Sequence, residues 1–298
     1  MVTGSRRSLP RGLVVDNASN DASALKDRVD ESQERADDFV RRTLARHSAW
    51  MITALSLLAG ILAWSLASRA LDSPLFPSPL QIVRALVGMA GNGTLLTDLA
   101  ASLQRIAIGF VLGCVVGVPV GLAMGLFPAV RAFCDPVVQF LRFVPPIAWL
   151  IPAIMWFGIG ETSKILIIFY MTVFLVLLNT MAGVSAIPRN QVRGAENFGL
   201  SRRQLFAWVV FPATLGYSVA GARIAMGNSF AAVVGAELIA ANAGLGYRVV
   251  ESGKWMAMDE MFAAMLTLGL LGIAADRLAR VATRHFLHRY LRNEDDAG

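Results

Sequence analysis

Long runs without a charged residue dominate the chain from residue 48 onward. Charges are absent from residues 48–68, 106–130, 143–160 and 165–188, and only Arg223 and Glu237 interrupt the stretch 204–247. Because an α-helix rises about 1.5 Å per residue, about 20 apolar residues cross the hydrocarbon core of a bilayer. We therefore predict six transmembrane helices, near 49–69, 105–126, 137–158 and 164–184, within 208–236, and near 261–280.

These runs do not alternate between polar and apolar residues, which is the pattern of a strand in a membrane β-barrel. Composition agrees with helical spans, since 55% of the 298 residues are hydrophobic and 16% are charged. The mean hydropathy of +0.56 also lies outside the usual range of a soluble domain. The sequence predicts an all-α integral membrane protein.

Basic residues are concentrated in the segments that we assign to the cytoplasm. The loop 185–207 carries four arginines and the C-terminal region five, at positions 189, 193, 202 and 203, and at 277, 280, 284, 289 and 292. The loops near 70–100, 159–163 and 238–258 are poorer in Lys and Arg. The positive-inside rule then places both termini and the 185–207 loop in the cytoplasm of a cell (inner) membrane protein. This topology accounts for much of the net charge of +6, so no nucleic-acid partner is needed.

Polar sequence flanks the membrane domain on both sides. We expect a cytoplasmic N-terminal tail at 1–48, a transmembrane domain at 49–285 and a cytoplasmic tail at 286–298. No function can be assigned to the first tail. A cleavable signal peptide is not expected, because about 48 polar residues precede the first apolar run, whereas a signal places its apolar core near the start.

Three charges lie within the apolar segments, at Arg142, Arg223 and Glu237. A charge at membrane depth costs about 2.5–3.5 kcal/mol on insertion scales, so it normally faces protein or a water-filled interior. These residues are our candidates for a translocation path, and the two arginines suit an anion. The alternative is that they pair with each other or with backbone carbonyls, or lie near an interface.

Proline and glycine positions add two structural expectations. Prolines at 145, 146 and 152 predict a broken third span, which membranes tolerate only where protein or a cavity satisfies the backbone. Glycines at 113, 117, 121 and 125 fall on one face of the second span. Such a stripe lets another helix approach closely, and we interpret it as a packing surface.

No enzyme motif is present in the sequence. The single Gly-Lys pair, Gly253-Lys254, lacks the first glycine of a phosphate-binding loop, since Arg248 stands there. The three histidines show no zinc-ligand spacing, and the two cysteines suggest neither a disulfide framework nor a metal site. We therefore expect no catalytic residues, no metal and no cofactor in this chain. If its transport uses ATP, a separate subunit must hydrolyse it.

A basic loop interrupts the apolar sequence with "IPRNQVRGAENFGLSRRQLFAWVVFPATLGY", residues 187–217. Arg193-Gly194-Ala195 is followed after three residues by Gly199, and after nine more by Val209, one residue, Phe211 and Pro212. This spacing resembles the cytoplasmic EAA loop, E-A-A-x3-G-x9-I-x-L-P, of permease subunits from binding-protein-dependent ABC importers. Arg193 stands in the place of the Glu, and Gly194 in that of the first Ala.

The physical properties of this loop agree with the resemblance. Small residues let a helix sit deep in a partner's groove, Gly199 can adopt the positive φ that ends a helix, and Ser201 can cap the next one. Pro212 allows a bend where that helix enters the membrane. The resemblance implies an ATPase-coupling loop within 187–212, formed by Arg193, Gly194, Ala195, Glu196, Gly199, Leu200, Ser201 and Pro212.

Further stretches between about 74 and 285 are similar to the nitrate/sulfonate/taurine branch of these permeases, above all "WFGIGETSK" and "GLGY". The resemblance implies a type I ABC importer permease fold. It also implies a second permease copy, an ATPase subunit that binds ATP and Mg, and a solute-binding protein. The expected solute is a small anion or zwitterion, such as an alkanesulfonate, taurine or nitrate. An ion-gradient-driven secondary transporter and a non-transporting scaffold are the alternatives.

Overall fold

A computed structural model of the protein describes residues 51–291, without the side chains of 240, 284 and 286–291. The predicted tail 1–48 lies outside the described residues, as do residues 292–298 of the predicted C-terminal tail. The described residues form helices and connecting turns, with no strand among them. This confirms the all-α fold class.

Thirteen segments of helix follow one another along this part of the chain. They are α1 (Met51–Leu71), α2 (Pro79–Gly91), α3 (Thr94–Leu126), α4 (Pro128–Leu141), a 3-10 helix (Pro146–Trp149) with α5 (Leu150–Phe157), α6 (Glu161–Ser185), α7 (Arg189–Asn197), α8 (Arg202–Leu205) with a π-helical turn (Phe206–Val210), α9 (Phe211–Ala240), α10 (Leu245–Lys254) and α11 (Met258–Leu291).

Five helices are long and apolar enough to cross a membrane, and six spans result if the bent pair α4–α5 counts as one. The two helices of that pair meet at 92°. Pro145 and Pro146 occupy the break, where they remove two backbone donors that a continuous helix would need. The predicted break in the third span is confirmed.

The second span begins earlier than the sequence predicted. α3 starts at Thr94, whereas the charge-free run placed its start near 105. Asp98 and Arg105 lie inside the helix and are buried. The prediction was wrong here because charges were taken to mark the end of the span, although charges that find partners can be buried within one.

The described residues fall into two compact units. Residues up to Ala67, which hold most of α1, form one unit, and the residues from Ser68 onward form the other. Within the second unit, Ser78 begins α2 with a capping box, in which its backbone N–H donates to Gln81 Oε1 at 2.7 Å. Pro79 follows in the first turn, as the sequence predicts.

α6 lies at the centre of the second unit and packs against α3 on one side and α9 on the other. The face of α3 that meets it is a stripe of glycines at 109, 113, 117, 121 and 125. A Cβ added at Gly113 would lie 2.5 Å from Cβ of Thr172, and one at Gly121 would lie 2.5 Å from the carbonyl oxygen of Leu177. The packing role predicted for the stripe is confirmed, and Gly109 extends it.

The seam between α6 and α9 also depends on small residues. Gly183 meets the ring of Tyr217, and Gly221 meets the side chain of Asn179. Hydrogen bonds between buried hydroxyls join the same two helices. The hydroxyl oxygens of Thr172 and Ser229 lie 3.2 Å apart, and the Thr180 hydroxyl donates to that of Ser218 at 3.0 Å. Close backbones and hydrogen bonds between helices are the main forces that hold spans together in lipid.

Replacing Gly121 with Ala is expected to destabilise the protein by about 1–3 kcal/mol, because the α3–α6 seam must open to admit a methyl group. This loss exceeds the roughly 0.5–1 kcal/mol by which Ala favours a helix over Gly. Thermal unfolding of the detergent-solubilised protein measures the effect. Gly269→Ala on α11 is the matched control, since a Cβ there meets nothing within 4 Å. Equal melting temperatures for the two variants would contradict this view of the seam.

Candidate functional site

The loop predicted to lie in the cytoplasm and to couple to an ATPase contains a short helix at the surface. α7 spans nine residues, Arg189–Asn197, and none of them is buried. Phe198 follows directly and is 87% exposed. A short helix with an exposed aromatic ring at its end is a surface suited to a protein partner, because aromatic residues are enriched at interfaces.

A tight turn ends α7. Gly199 has φ 76°, in the left-handed region, which confirms the conformation expected there. The N–H of Phe198 donates to the carbonyl of Gly194 at 3.1 Å, and the N–H of Leu200 to that of Ala195 at 3.3 Å, so the last carbonyls of the helix are satisfied. Glu196 lies in the last turn of this helix.

Ser201 begins the next helix, as predicted. Its side chain accepts from the N–H of Gln204 at 3.4 Å, while Gln204 Oε1 accepts from the N–H of Ser201 at 2.9 Å. This reciprocal capping box starts α8 directly after the four-residue turn 198–201. The turn at Gly199 and the cap at Ser201 therefore fix the angle between α7 and α8.

α8 continues into α9 through the π-helical turn, and residues Arg202–Ile239 form one 38-residue span. Pro212 lies in the first turn of α9, immediately after the π turn. Proline has no N–H for the helix ladder, and its ring clashes with the carbonyl four residues earlier. The wider π turn accommodates both effects. α8 is therefore joined to α9 by continuous helix, without a flexible hinge.

Glu237, one of the predicted path residues, is 1% exposed and fully engaged. Its carboxylate accepts from Ser102 Oγ at 2.8 Å, from the Arg105 guanidinium at 2.6 Å and from the N–H of Gly246 at 2.8 Å. Gly244, with φ 135°, lies so close that a Cβ there would collide with this carboxylate. The "GLG" of the sequence thus wraps around a buried acid.

Arg105 extends this contact into a larger external ion network. Its Nε lies 2.5 Å from Glu161 Oε2, and Lys164 Nζ lies 2.9 Å from Glu161 Oε1. Asp98, about two turns from Arg105 on α3, accepts from the N–H of Gly244 at 2.9 Å and from Arg248 Nε at 2.7 Å. We call the set Asp98, Arg105, Glu161, Lys164, Glu237 and Arg248 the external ion network, because the predicted topology places it at the outer side.

The network contains three acids and three bases, so its charges cancel. Asp98, Arg105, Lys164 and Glu237 are each at most 4% exposed, whereas the side chain of Glu161 is 56% exposed. It connects α3, α6 and α9 to the start of α10. Sequence reasoning missed every member except Glu237. A usable signal existed, since charges of both signs stand beside the charge-free runs at 106–130 and 165–188.

The other two predicted path residues lie elsewhere. Arg223 on α9 pairs with Asp276 on α11 at 2.7 Å, and Asp276 also contacts Arg280. Arg142 ends α4 and lines an open groove, with its guanidinium 4.7 Å from the centre of the Phe143 ring. The structure does not bring the three residues together, and a role in a path stays a prediction for each.

Among the described residues, no group of three or more His, Cys, Asp or Glu is placed to hold a metal ion. Cys114 and Cys134 are free thiols. On α10, outside the spans, hydrogen bonds from Trp255 and then Lys254 lower the pKa of Glu251 below its usual value.

Glu237→Gln is expected to destabilise the protein by about 3–5 kcal/mol, because it leaves Arg105 buried with part of its positive charge unpaired. Thermal unfolding measures the loss, and limited proteolysis of residues 241–246 tests whether the loop is released. Glu251→Gln makes the same chemical change on the surface and should leave the melting temperature nearly unchanged. If the two variants unfold at the same temperature, the network does not stabilise the fold.

Several known proteins are similar to this chain in sequence or in fold. The family described as binding-protein-dependent transport system inner membrane component matches residues 95–291. The taurine transport system permease protein of Escherichia coli (strain K12) is 37% identical over 251 residues, which cover 82% of this chain and 90% of that protein. The putative aliphatic sulfonates transport permease protein of the same organism is 36% identical over 251 residues, covering 83% and 94%.

A nitrate import permease protein of Synechococcus elongatus is 30% identical over 228 residues, which cover 72% of this chain and 82% of that protein. Among solved structures, an inward-facing form of the MetNI methionine ABC transporter matches with a TM-score of 0.54 at 20% identity. It covers 64% of this chain and 97% of the matched one, and it supports the fold alone. The chain belongs to the family of binding-protein-dependent transport system inner membrane components, and it is a permease subunit of an ABC importer.

Proposed function

We propose that this permease couples to a separate ATPase through the loop 187–212 and, with a second copy of itself, forms the path for a small anionic or zwitterionic solute. The observation that carries the proposal is the geometry of α7. None of its residues is buried, it ends at a fixed turn, and a four-residue turn with a capping box joins it to a transmembrane helix.

The surface of α7 supports docking into a groove on the ATPase. Gly194 and Ala195 are small, and Phe198 offers an exposed ring beside them. Arg193 stands where the EAA loop carries Glu. Together with Arg189, it makes this helix basic, so an acidic groove on the ATPase would match it.

Continuous helix supports transmission of force from the ATPase to the path. The capping box at Ser201 holds α8 against the turn that follows α7, and the π turn joins α8 rigidly to α9. A displacement of α7 would therefore move α8 and α9 with it. At the other end of α9, Glu237 holds Arg105 of α3 in the external ion network. Closure of the ATPases on ATP would therefore tilt several spans together and open the path to the outside, and hydrolysis would reset it.

The external surface supports delivery of solute by a binding protein. The segments with "GIGETSK" and "GLGY" lie at the outer end of the spans in the predicted topology, with both termini in the cytoplasm. The external ion network fixes both segments to α3. A rigid external surface favours docking of a partner because little conformational entropy is lost on binding.

The names of the relatives support the class of solute. Permeases similar to this chain are named for taurine, aliphatic sulfonates and nitrate, which are small anions or zwitterions. ATP and Mg belong to the partner ATPase in this proposal, and this chain binds no cofactor.

A secondary transporter driven by an ion gradient is the competing function. Such a protein needs side chains near the middle of the membrane that can bind the coupling ion. Glu237 is the carboxylate that the sequence singles out within an apolar segment. It lies near the end of α9, not midway along it, and its oxygens are occupied by Ser102, Arg105 and Gly246. This pairing favours the ABC importer over the ion-coupled alternative.

Gly199→Val tests the coupling loop, because a β-branched residue is strained at φ 76° and should misplace α7. In the complex reconstituted with its ATPase and binding protein, we expect solute-stimulated ATP hydrolysis to fall by about tenfold or more, equivalent to roughly 1.4 kcal/mol of lost coupling. The spans stay folded, which the melting temperature checks.

Gly194→Ala is the matched control. A Cβ at this position meets nothing within 4 Å, and the EAA loop itself carries Ala there, so stimulated hydrolysis should be unchanged. Full stimulation in Gly199→Val, with the ATPase still bound, would exclude this turn as the coupling element.

A further inference from the structure

Arg142 differs from the other charges that lie deep in the spans. Arg105, Lys164 and Glu237 are buried in the external ion network, and Arg223 is paired with Asp276. In the part of the chain that the structure describes, Arg142 makes no ion pair, and its contact is with the face of the Phe143 ring. Its guanidinium therefore keeps its hydrogen-bond donors for a ligand.

The groove beside Arg142 lies at mid-membrane depth. Tyr170 and Leu178 line it, at about 14 Å and 26 Å from the outer end of α6 at 1.5 Å per residue. Residues at the break between α4 and α5 and Asn228 of α9 also line it. Residues from three spans thus converge midway across the membrane, where interrupted helices commonly form solute sites.

Apolar side chains form most of the groove. The lining includes Phe143, Met171, Phe174 and Leu175, and its volume of about 470 Å³ falls within the range of small-molecule sites. The hydroxyl of Tyr170 donates to the carbonyl of Leu141, so it is already engaged. The Asn228 amide donates to the carbonyl of Ile224 at 3.0 Å. Arg142 is therefore the main polar group left for a ligand, and no Asp or Glu is among the lining residues.

This lining determines which ligand fits. A guanidinium binds a sulfonate or carboxylate with charge-assisted hydrogen bonds. An apolar chain gains free energy by covering the rings of Phe143 and Phe174. Nitrate has no apolar chain that could cover these rings. The groove also has no carboxylate to pair with the ammonium group of taurine.

We propose that this groove is a solute site for an organic anion, with the head group at Arg142 and an apolar chain along Phe143, Phe174 and Leu175. This inference rests on the proposed function and narrows its solute class. The solute is an organic anion with an apolar chain and no cationic group. Sulfonate and carboxylate head groups share this chemistry, and the test separates them.

The experiment uses the full chain in complex with its ATPase, in nanodiscs and without the binding protein, so that only the permease selects the ligand. Equilibrium dialysis compares 1-hexanesulfonate, hexanoate, methanesulfonate, taurine and nitrate. We expect 1-hexanesulfonate or hexanoate, or both, to bind about tenfold or more tightly than the other three. The preference between these two identifies the head group.

Two variants locate the site. Arg142→Gln should weaken binding of 1-hexanesulfonate by about tenfold to a hundredfold, which is the usual contribution of a hydrogen bond to a charged group. Phe174→Ala should weaken the binding of 1-hexanesulfonate severalfold and leave the binding of methanesulfonate unchanged, because only the longer chain reaches the ring. Arg131→Gln, an exposed position on α4 outside the groove, is the matched control and should change neither binding nor basal ATP hydrolysis.

Three results would overturn the inference. Taurine or nitrate could bind as tightly as 1-hexanesulfonate, or Arg142→Gln could bind it with unchanged affinity. A lipid that copurifies and resists displacement by 1-hexanesulfonate would make the groove a lipid contact. In each case the ATPase still copurifies and hydrolyses ATP, which separates this failure from a failure of the proposed function, where no ATPase would bind.

Discussion

The contact between Arg105 and Glu237 is the interaction on which the arrangement of the spans depends. A single charge in lipid is strongly unfavourable, so neither residue is stable in its place without the other. Their positions bring α3 and α9 together, Glu161 adds α6, and backbone N–H groups bring in the turn before α10. The glycine stripe of α3 then allows the closest approach to α6 along the rest of the membrane.

α9 is the element that joins the two ends of the molecule. Its C-terminal end is held by Glu237, while its N-terminal end continues through the π turn and α8 to the turn that follows α7. Between these ends it contributes Asn228 to the groove that Arg142 lines. An importer needs such a connection, because ATP is used on one side of the membrane and solute arrives on the other. α9 provides this connection, because both of its ends are held rigidly and its middle lines the groove at mid-membrane depth.

Much of the fold could be predicted from the sequence, because the requirement for about 20 apolar residues per span is strict. The break at Pro145 and Pro146, the turn at Gly199 and the packing role of the glycines followed from local backbone chemistry. The start of α3 and the roles of Asp98 and Arg105 could not be predicted, since they depend on partners more than 50 residues away in the chain. Glu237 was expected to face protein or a water-filled interior, and the sequence did not reveal that its oxygens are already occupied.

ATP-dependent uptake by reconstituted vesicles tests the central claim most directly. The full chain, its ATPase and its binding protein would be placed in proteoliposomes, and uptake of radiolabelled 1-hexanesulfonate and taurine would be followed with ATP or a non-hydrolysable analogue at the ATPase. We expect uptake of at least one of these solutes that requires hydrolysable ATP and all three components. Uptake by the permease chain alone, driven by a proton or sodium gradient, would contradict the assignment of this chain to an ATP-driven importer.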